Sequence, residues 1–339
     1  MIVNKLYVPW RVLADQALLE HLENDHPARA QIEADLAKRQ AGFRGEQNLA
    51  YYLDTFQKED WHIFYALKLE DCQIDTLLLT PTFISLLESK NYSGVVRFEP
   101  DGQFMRRVAD RYEGYANPLL QVGRHRALLR KWLSNHGLPK LPIEADVVIA
   151  FPATIIENPG KLRHVQEHVF HAEQAPMKLE KLIEKYKHTH NFFEFIPQIE
   201  HLLLQEHNDK PINVLNLFNI HPSELRRGVR CDKCRSFDMQ RIYANWFCPR
   251  CGYKSKTAHI PMILHYFLLF GSTMTNKQCR AFLRVDKCKT MTDLLSKMNL
   301  QRGGSGFGNG LYYKSPSHET FDRYFRDKQD WRKRIWNRK

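Results

Sequence analysis

Two neighbouring apolar runs carry charged residues where buried strands normally exclude them. The stretch QIDTLLLTPTFISLLESKNYSG has Asp75 inside IDTLLL, and it has Glu88 and Lys90 at the end of FISLLESK. The two runs predict strands that are joined through Pro81. An ionised side chain is costly to desolvate without a partner, so these charges restrict the fold to arrangements in which they meet.

In consecutive antiparallel strands, Asp75 and Glu88 can lie side by side at one end of a sheet, and Lys90 points to the same face as Glu88. Paired carboxylates repel each other unless a cation joins them, and such hard oxygen ligands suit Mg²⁺ (or Mn²⁺). A nearby lysine can orient or deprotonate a water for attack on phosphorus. The pattern favours a phosphodiesterase site. The alternative is a surface ion pair of Glu88 and Lys90, with Asp75 at a strand edge.

The surrounding segments predict an α/β core with a mixed sheet. A helix follows the turn-like AGFRGE, WHIFYALKL is a strand, and VVRFEPDGQFMRRV is a hairpin turning at Asp101 and Gly102. The helix NPLLQVGRHRALLRKWLSNHG ends at Gly137, and IEADVVIAFP is a buried strand. The order of helix, three strands, helix and strand is typical of an α/β fold.

Four of these segments, GFRGEQNLAYYL, QIDTLLL, LLESKNYSG and NPLLQVGRHRALLRKWL, together resemble the nuclease-related domain (NERD), a member of the PD-(D/E)xK superfamily, over roughly residues 38–152. The resemblance implies a restriction-endonuclease-like mixed sheet flanked by helices, and metal-dependent cleavage of DNA. It implies that Asp75 and Glu88 are the principal metal ligands and that Lys90 is the catalytic lysine. Glu46 would supplement the metal site from the first helix, and Gln121 would join it from the later helix.

Two CxxC pairs, CDKC and CPRC, are separated by 13 residues. Each pair can form a tight knuckle that presents two thiolates, and two knuckles complete a tetrahedral zinc site. The segment between them, RSFDMQRIYANWF, reads as a strand hairpin, which is similar to a zinc ribbon. With four cysteine ligands the Zn²⁺ site is closed and structural; a redox dithiol is the alternative. The predicted ligands are Cys231, Cys234, Cys248 and Cys251.

The formal net charge is +12, which favours a polyanionic partner such as nucleic acid, although a solvated basic surface is the plain alternative. Basic residues and aromatic residues alternate around the cysteines, and basic residues recur on predicted helices. They can neutralise phosphates, while aromatic faces stack on bases or form the ribbon's small core. The predicted nucleic-acid contacts are Arg124, Arg235, Arg241, Arg250, Lys289 and Lys297.

The segment from Thr275 to Tyr313 has the outline of a winged helix-turn-helix. Thr275 caps one helix, Val285 and Asp286 form the turn, and QRGGSGFGNGLYYK makes a glycine-rich wing. Winged helices also serve as protein-contact modules, so this module has two interpretations.

The sequence therefore predicts a DNA nuclease. We expect it in the cytoplasm, since no apolar run reaches the roughly 18 residues of a membrane span and the N-terminus lacks a signal-peptide layout. The rival is a non-catalytic nucleic-acid-binding or adaptor protein. Duplex or single-stranded DNA is the expected partner; a homodimer and a helicase or other DNA-processing partner stay open. The predicted segments are an N-terminal lead-in (1–35), the NERD nuclease-like domain (36–155), a helical connector (156–222), the zinc ribbon (223–258), a small winged-helix-like α+β module (259–316) and a basic tail (317–339).

Overall fold

The computed structural model describes residues 1–56, 58–109, 111–304 and 310–326. The chain forms two compact units, Met1–Leu6 with Gln40–Asp209 and Tyr7–Arg39 with Lys210–Lys339. The helices are α1 (Trp10–His21), α2 (Arg29–Asp54), α3 (Pro118–Asn135), α4 (Arg163–His168), α5 (Ala175–Tyr186), α6 (Ile196–Glu206), α7 (Val214–Leu217), α8 (His259–Phe270), α9 (Asn276–Leu283) and α10 (Cys288–Ser296), and residues 318–326 are also helical.

The strands are short in the second unit and longer in the first. They are β1 (Ile2–Asn4), β2 (His62–Lys68), β3 (Gln73–Leu79), β4 (Ile84–Lys90), β5 (Val95–Phe98), β6 (Phe104–Val108), β7 (Arg111–Tyr115), β8 (Ile143–Ile149), β9 (Ile155–Glu157), β10 (Val169–His171), β11 (Gln240–Arg241), β12 (Trp246–Phe247), β13 (Lys254–Ser255), β14 (Thr273–Thr275), β15 (Arg302–Gly303) and β16 (Tyr312–Lys314).

The first unit is built on a mixed six-stranded sheet with the order β1-β2-β3-β4-β8-β10. Strands β2, β3 and β4 are antiparallel neighbours, whereas β8 runs parallel to β4 and β10 runs parallel to β8. This is the predicted mixed α/β sheet. Residues 156–209, which the sequence assigns to a connector, lie in this unit, and β10 extends its sheet.

Both faces of the central strands are buried, which explains why β3 and β4 are almost continuously apolar. One face packs against α3 and α6, with Leu77 and Leu86 in the same cluster as Val122. The other face packs against α2 and α5, with Leu78 and Leu87 beside them. Alternate residues of one strand therefore enter opposite cores.

The expected turn at AGFRGE is wrong. Residues 41–46 lie inside α2, which is helical from Arg29 to Asp54. Glycine lowers helix propensity by about 1 kcal/mol relative to alanine, but tertiary packing readily outweighs that cost. Phe43, Leu49 and Leu53 on this helix are buried, and this packing keeps the helix continuous through its two glycines.

The predicted hairpin is present as β5 and β6, with Gly102 at a φ of +87° in its turn. It does not join the main sheet. It forms a separate four-stranded sheet with the order β7-β6-β5-β9.

The second unit combines α1 with the C-terminal segments. Helix α1 packs against α8, and the side chain of His21 meets that of His265 at 3.2 Å. Strands β11–β13 form one small sheet, and β14, β16 and β15 form another, in which β14 packs beside α8 and α9. Thr275 caps α9 as predicted, by accepting a hydrogen bond from the Gln278 backbone. The wing's residues 305–309 and the tail's residues 327–339 lie outside the described residues.

Among the described residues, no helix combines the length and the apolar character that a bilayer crossing requires.

Candidate active site and zinc centre

The ends of β3 and β4 place the first two acids side by side. Thr76 pairs with Leu87 in this antiparallel ladder, so Asp75 and Glu88 occupy the next positions of the two strands. The Ser89 backbone N–H donates to Asp75 Oδ2 at 3.0 Å, which fixes the Asp75 carboxyl against β4. The geometry expected from strand alternation is therefore present.

A closed set of hydrogen bonds joins Glu88, Lys90 and Gln121. Lys90 Nζ donates to Glu88 Oε1 at 2.8 Å and to Gln121 Oε1 at 3.0 Å. Gln121 Nε2 donates to the same Glu88 Oε1 at 2.7 Å. Glu88 is only 4% exposed and its two partners are half-buried, so this is a partly enclosed polar cluster rather than a surface ion pair.

Like charges crowd the site. Burial and then the nearby Glu88 raise the pKa of Glu46 on α2 to about 7. Burial, followed by Glu88 and Glu46, raises the pKa of Asp75 well above its usual value. Burial alone would lower the pKa of Lys90, but the ion pair with Glu88 outweighs it and the pKa is raised. Glu46 and Asp75 therefore hold their protons more readily than free carboxyl groups, beside an ammonium that is stabilised by Glu88.

His125 contacts the cluster, whereas Lys68 pairs with Asp209 at 2.6 Å and influences the cluster only through its charge. His125 lies one helical turn after Gln121, is buried, and places Nδ1 at 3.6 Å from Glu88 Oε2. Burial lowers the pKa of His125, although Glu88 opposes that shift. His125 directly follows the predicted phosphate contact Arg124, but the structure turns its ring toward Glu88. Lys68 at the end of β2 was missed; its charge lowers the pKa of Glu46, and its position at the end of the strand beside β3 was the available signal.

The donor set fits a hard divalent cation. Asp75, Glu88 and Glu46 offer carboxyl oxygens, and burial together with mutual repulsion raises the pKa of Asp75 and Glu46, an effect that a bound cation would offset. The three carboxyl groups lie farther apart than the four zinc-ribbon cysteines. Among the described residues, those cysteines are the one set of three or more acidic, histidine or cysteine side chains whose ligand atoms all lie close enough to share a metal ion.

The four predicted cysteines form that cluster, and their Sγ atoms all lie within 4.8 Å of one another. Each CxxC pair closes a similar knuckle. The Arg235 N–H donates to the Cys231 carbonyl, and the Gly252 N–H donates to the Cys248 carbonyl, both at 2.9 Å. Strands β11 and β12 connect the knuckles. Four converging sulfur atoms fit Zn²⁺ and match the predicted zinc ribbon.

The predicted nucleic-acid contacts fall into three places. Arg241 and Lys297 line a groove of about 910 Å³ between the β11–β12 hairpin and α10. Arg235 and Arg250 line a separate cavity of about 450 Å³. Arg124 and Lys289 are exposed on α3 and α10. Their contacts with nucleic acid stay predictions.

A mixed sheet flanked by helices, with acids and a lysine at the ends of adjacent strands, defines a nuclease-like domain. Residues 41–150 match the family model of the nuclease-related domain, NERD, which confirms the resemblance identified from the sequence. No curated protein and no solved structure gives a significant match to the chain.

Proposed function

We propose that the chain is a metal-dependent DNA nuclease that hydrolyses phosphodiester bonds. The observation that carries the proposal is the cluster of Asp75, Lys90 and Gln121 around the buried Glu88, inside the matched NERD segment. Crowded carboxyl groups beside a lysine are unfavourable for folding, so a role in binding a cation and a phosphate accounts for them.

Asp75 and Glu88 would hold Mg²⁺ (or Mn²⁺), with Glu46 contributing from α2. When bound, the cation would polarise the phosphoryl oxygen and stabilise the leaving oxygen. The Ser89 N–H keeps the Asp75 carboxyl oriented, and Gln121 holds Glu88 and Lys90 in register.

Lys90 would act as a charged hydrogen-bond donor. Its pKa is raised by the Glu88 pair, so at neutral pH it is an ammonium. An ammonium can orient the attacking water or contact a phosphoryl oxygen, whereas it cannot accept a proton.

The test is cleavage of plasmid and of single-stranded DNA, with and without added Mg²⁺, by wild type, Asp75→Ala and Lys90→Ala. We expect metal-dependent cutting that falls by at least about a hundredfold in both variants, the scale on which removal of one catalytic group acts. Glu180→Ala and Lys181→Ala remove the same charges from exposed positions on α5 and should cut like wild type. Binding without cutting at any metal concentration would support the rival, a non-catalytic adaptor.

We propose that the zinc ribbon and the α8–α10 module bind the DNA and that the setting is DNA processing, repair or phage defence in the cytoplasm. The excess of basic residues in the chain and the position of Arg241 and Lys297 in the groove beside α10 support this. A phosphate-led interface predicts affinity that falls steeply as salt rises. Affinity that is constant between low and high salt would argue for protein contact instead. A helicase partner and a homodimer are proposals that pull-down and sedimentation experiments would test.

A further inference from the structure

Beside the first cysteine knuckle, the second unit holds a cavity of about 450 Å³ that is rich in arginine. Its charged lining consists of five arginines and one glutamate. These residues are Arg29, Arg226, Arg230, Arg235, Arg250 and Glu20. Two acids outside the lining pair with it, Glu33 with Arg29 at 3.0 Å and Glu23 with Arg226 at 3.6 Å, and an excess of positive charge remains. We call this cavity the arginine pocket.

Three of its arginines are held in place at the C-terminal end of α1. Arg29 donates to the Leu19 carbonyl at 3.1 Å, and Arg226 donates to the Glu20 carbonyl at 3.0 Å. Arg230 is paired with the Glu20 carboxylate at 3.0 Å and is itself 5% exposed. The carbonyl end of a helix attracts cations, which accounts for this anchoring.

Their hydrogen-bonding capacity is not exhausted. The Nε atoms of Arg226 and Arg230 are buried and have no hydrogen-bond partner among the described residues. A buried donor without an acceptor is costly, more so when it is charged. The pocket therefore contains positioned guanidinium groups that are short of acceptors.

The other two, Arg235 and Arg250, are exposed and have no ion pair with an acid in the part of the chain that is described. Arg235 also occupies an unfavourable backbone conformation, with φ at +62°. The matching position of the second knuckle is Gly252, with φ at +71°. A side chain in this left-handed region costs about 1–2 kcal/mol, which glycine avoids. Folding alone does not favour arginine here, whereas its charge serves the pocket.

We propose that the arginine pocket binds the terminal phosphate of a nucleic-acid strand. An internal phosphodiester carries one negative charge, but a phosphomonoester carries about 1.5–2 charges near neutral pH and has three strong acceptor oxygens. Several converging guanidinium groups match the monoester better. This inference rests on the proposed nucleic-acid function and deepens it, because recognition of a strand end would direct the enzyme to ends.

The experiment measures binding of the full-length, zinc-loaded protein to labelled strands of one sequence that end in a 5′-phosphate, a 3′-phosphate or hydroxyls only. No divalent metal is added, so cleavage does not interfere. Inorganic phosphate is the competitor. We expect one phosphorylated end to bind at least about tenfold more tightly than the hydroxyl strand, equivalent to about 1.4 kcal/mol, and we expect inorganic phosphate to remove that preference.

Arg235→Gly is the decisive variant, because glycine suits the left-handed position and the knuckle should fold at least as well. The phosphate preference should fall by about tenfold, as it should in Arg250→Gln. The matched control is Arg284→Gly, which removes the same charge at another left-handed position (φ +55°) outside the arginine pocket. It should keep the preference for the phosphorylated end even if overall affinity drops.

Equal binding of phosphorylated and hydroxyl strands by wild type would overturn the proposal. So would a preference that survives Arg235→Gly and Arg250→Gln. Binding of inorganic phosphate without any discrimination between strand ends would mean that the pocket takes free phosphate and would also overturn it. Binding is measured without cleavage, so the two proposals can fail separately. Cutting without end preference would contradict only the end-binding proposal, and end preference without cutting would contradict only the nuclease proposal.

Discussion

Gly45 lies where α2 approaches the end of β4, so Gly45→Ala tests how the neighbouring Glu46 is positioned. A Cβ at this glycine would lie 2.8 Å from Asn91 Cβ, 3.2 Å from Ser89 Oγ and 3.3 Å from Ala150 Cβ. None of these atoms is the free end of a flexible side chain. The Asn91 side chain is also tied to α2 through its hydrogen bond to the Ala41 carbonyl at 2.6 Å. The added methyl group must therefore displace the helix or the strand.

The magnitude follows from comparison with Gly42→Ala, one turn earlier in α2, where nothing lies within 4 Å of the added Cβ. Both substitutions gain helix propensity, about 1 kcal/mol each. That gain cancels in the comparison, so the difference between the two variants isolates the clash. Overpacking of this kind typically costs about 1–3 kcal/mol. We expect Gly42→Ala to be stabilised and Gly45→Ala to be less stable than Gly42→Ala by that difference.

Thermal unfolding of both variants measures the difference, since each kcal/mol shifts Tm by about 2–4 °C for a domain of this size. Cleavage assays on the same proteins should show that only Gly45→Ala loses activity, because displacement of α2 carries Glu46 away from Asp75 and Glu88. Equal stability of the two variants would refute the close approach of α2 to β4. Full activity in a destabilised Gly45→Ala would refute the requirement for Glu46 at the site.

Three further outcomes are expected. Without divalent metal, the Tm of wild type relative to that of Glu46→Gln should fall as pH rises from about 4.5 to about 7, because the raised pKa of Glu46 makes the folded state retain a proton that the unfolded chain releases; a difference between the two proteins that does not change with pH would contradict the shift. Added Mg²⁺ should raise Tm more at high pH than at low pH, since the ligands must be deprotonated, and calorimetry in two buffers should detect proton release. Cys248→Ser should reduce bound zinc to well below one per chain by metal analysis, while Cys288→Ser, which changes an exposed cysteine, should retain it; equal zinc in both would exclude the four-cysteine site.

Local patterns predicted the site because its residues lie on strands with short connections. Asp75 and Glu88 face each other through one ladder, and Lys90 follows Glu88 by strand alternation. The zinc cysteines were equally predictable from the sequence, because each knuckle is formed by residues that are close together in the chain. The resemblance to the family added Gln121, which is expected near Glu88 and Lys90, and its side chain forms hydrogen bonds with both.

Features that depend on tertiary packing were not predictable in this way. The two glycines of AGFRGE indicated a turn, yet burial of Phe43 and Leu49 keeps α2 continuous. The separate sheet of β5, β6, β7 and β9 depends on the long-range pairing of β9 with β5, for which no local signal exists. His125 reaches Glu88 only because α3 packs along β4 and β8.

The second unit is interrupted in the chain, since Tyr7–Arg39 and Lys210–Lys339 belong together and the nuclease-related segment lies between them. Helix α1 is buried along most of its length, with Leu13 and Leu18 fully enclosed, and its principal partner is α8. During synthesis α1 therefore meets its principal partner only when the last third of the chain emerges. Contacts this distant in sequence slow folding. A fragment that begins at Lys210 would lack α1 and expose the apolar face of α8, so the zinc module is better dissected by point substitution than by truncation.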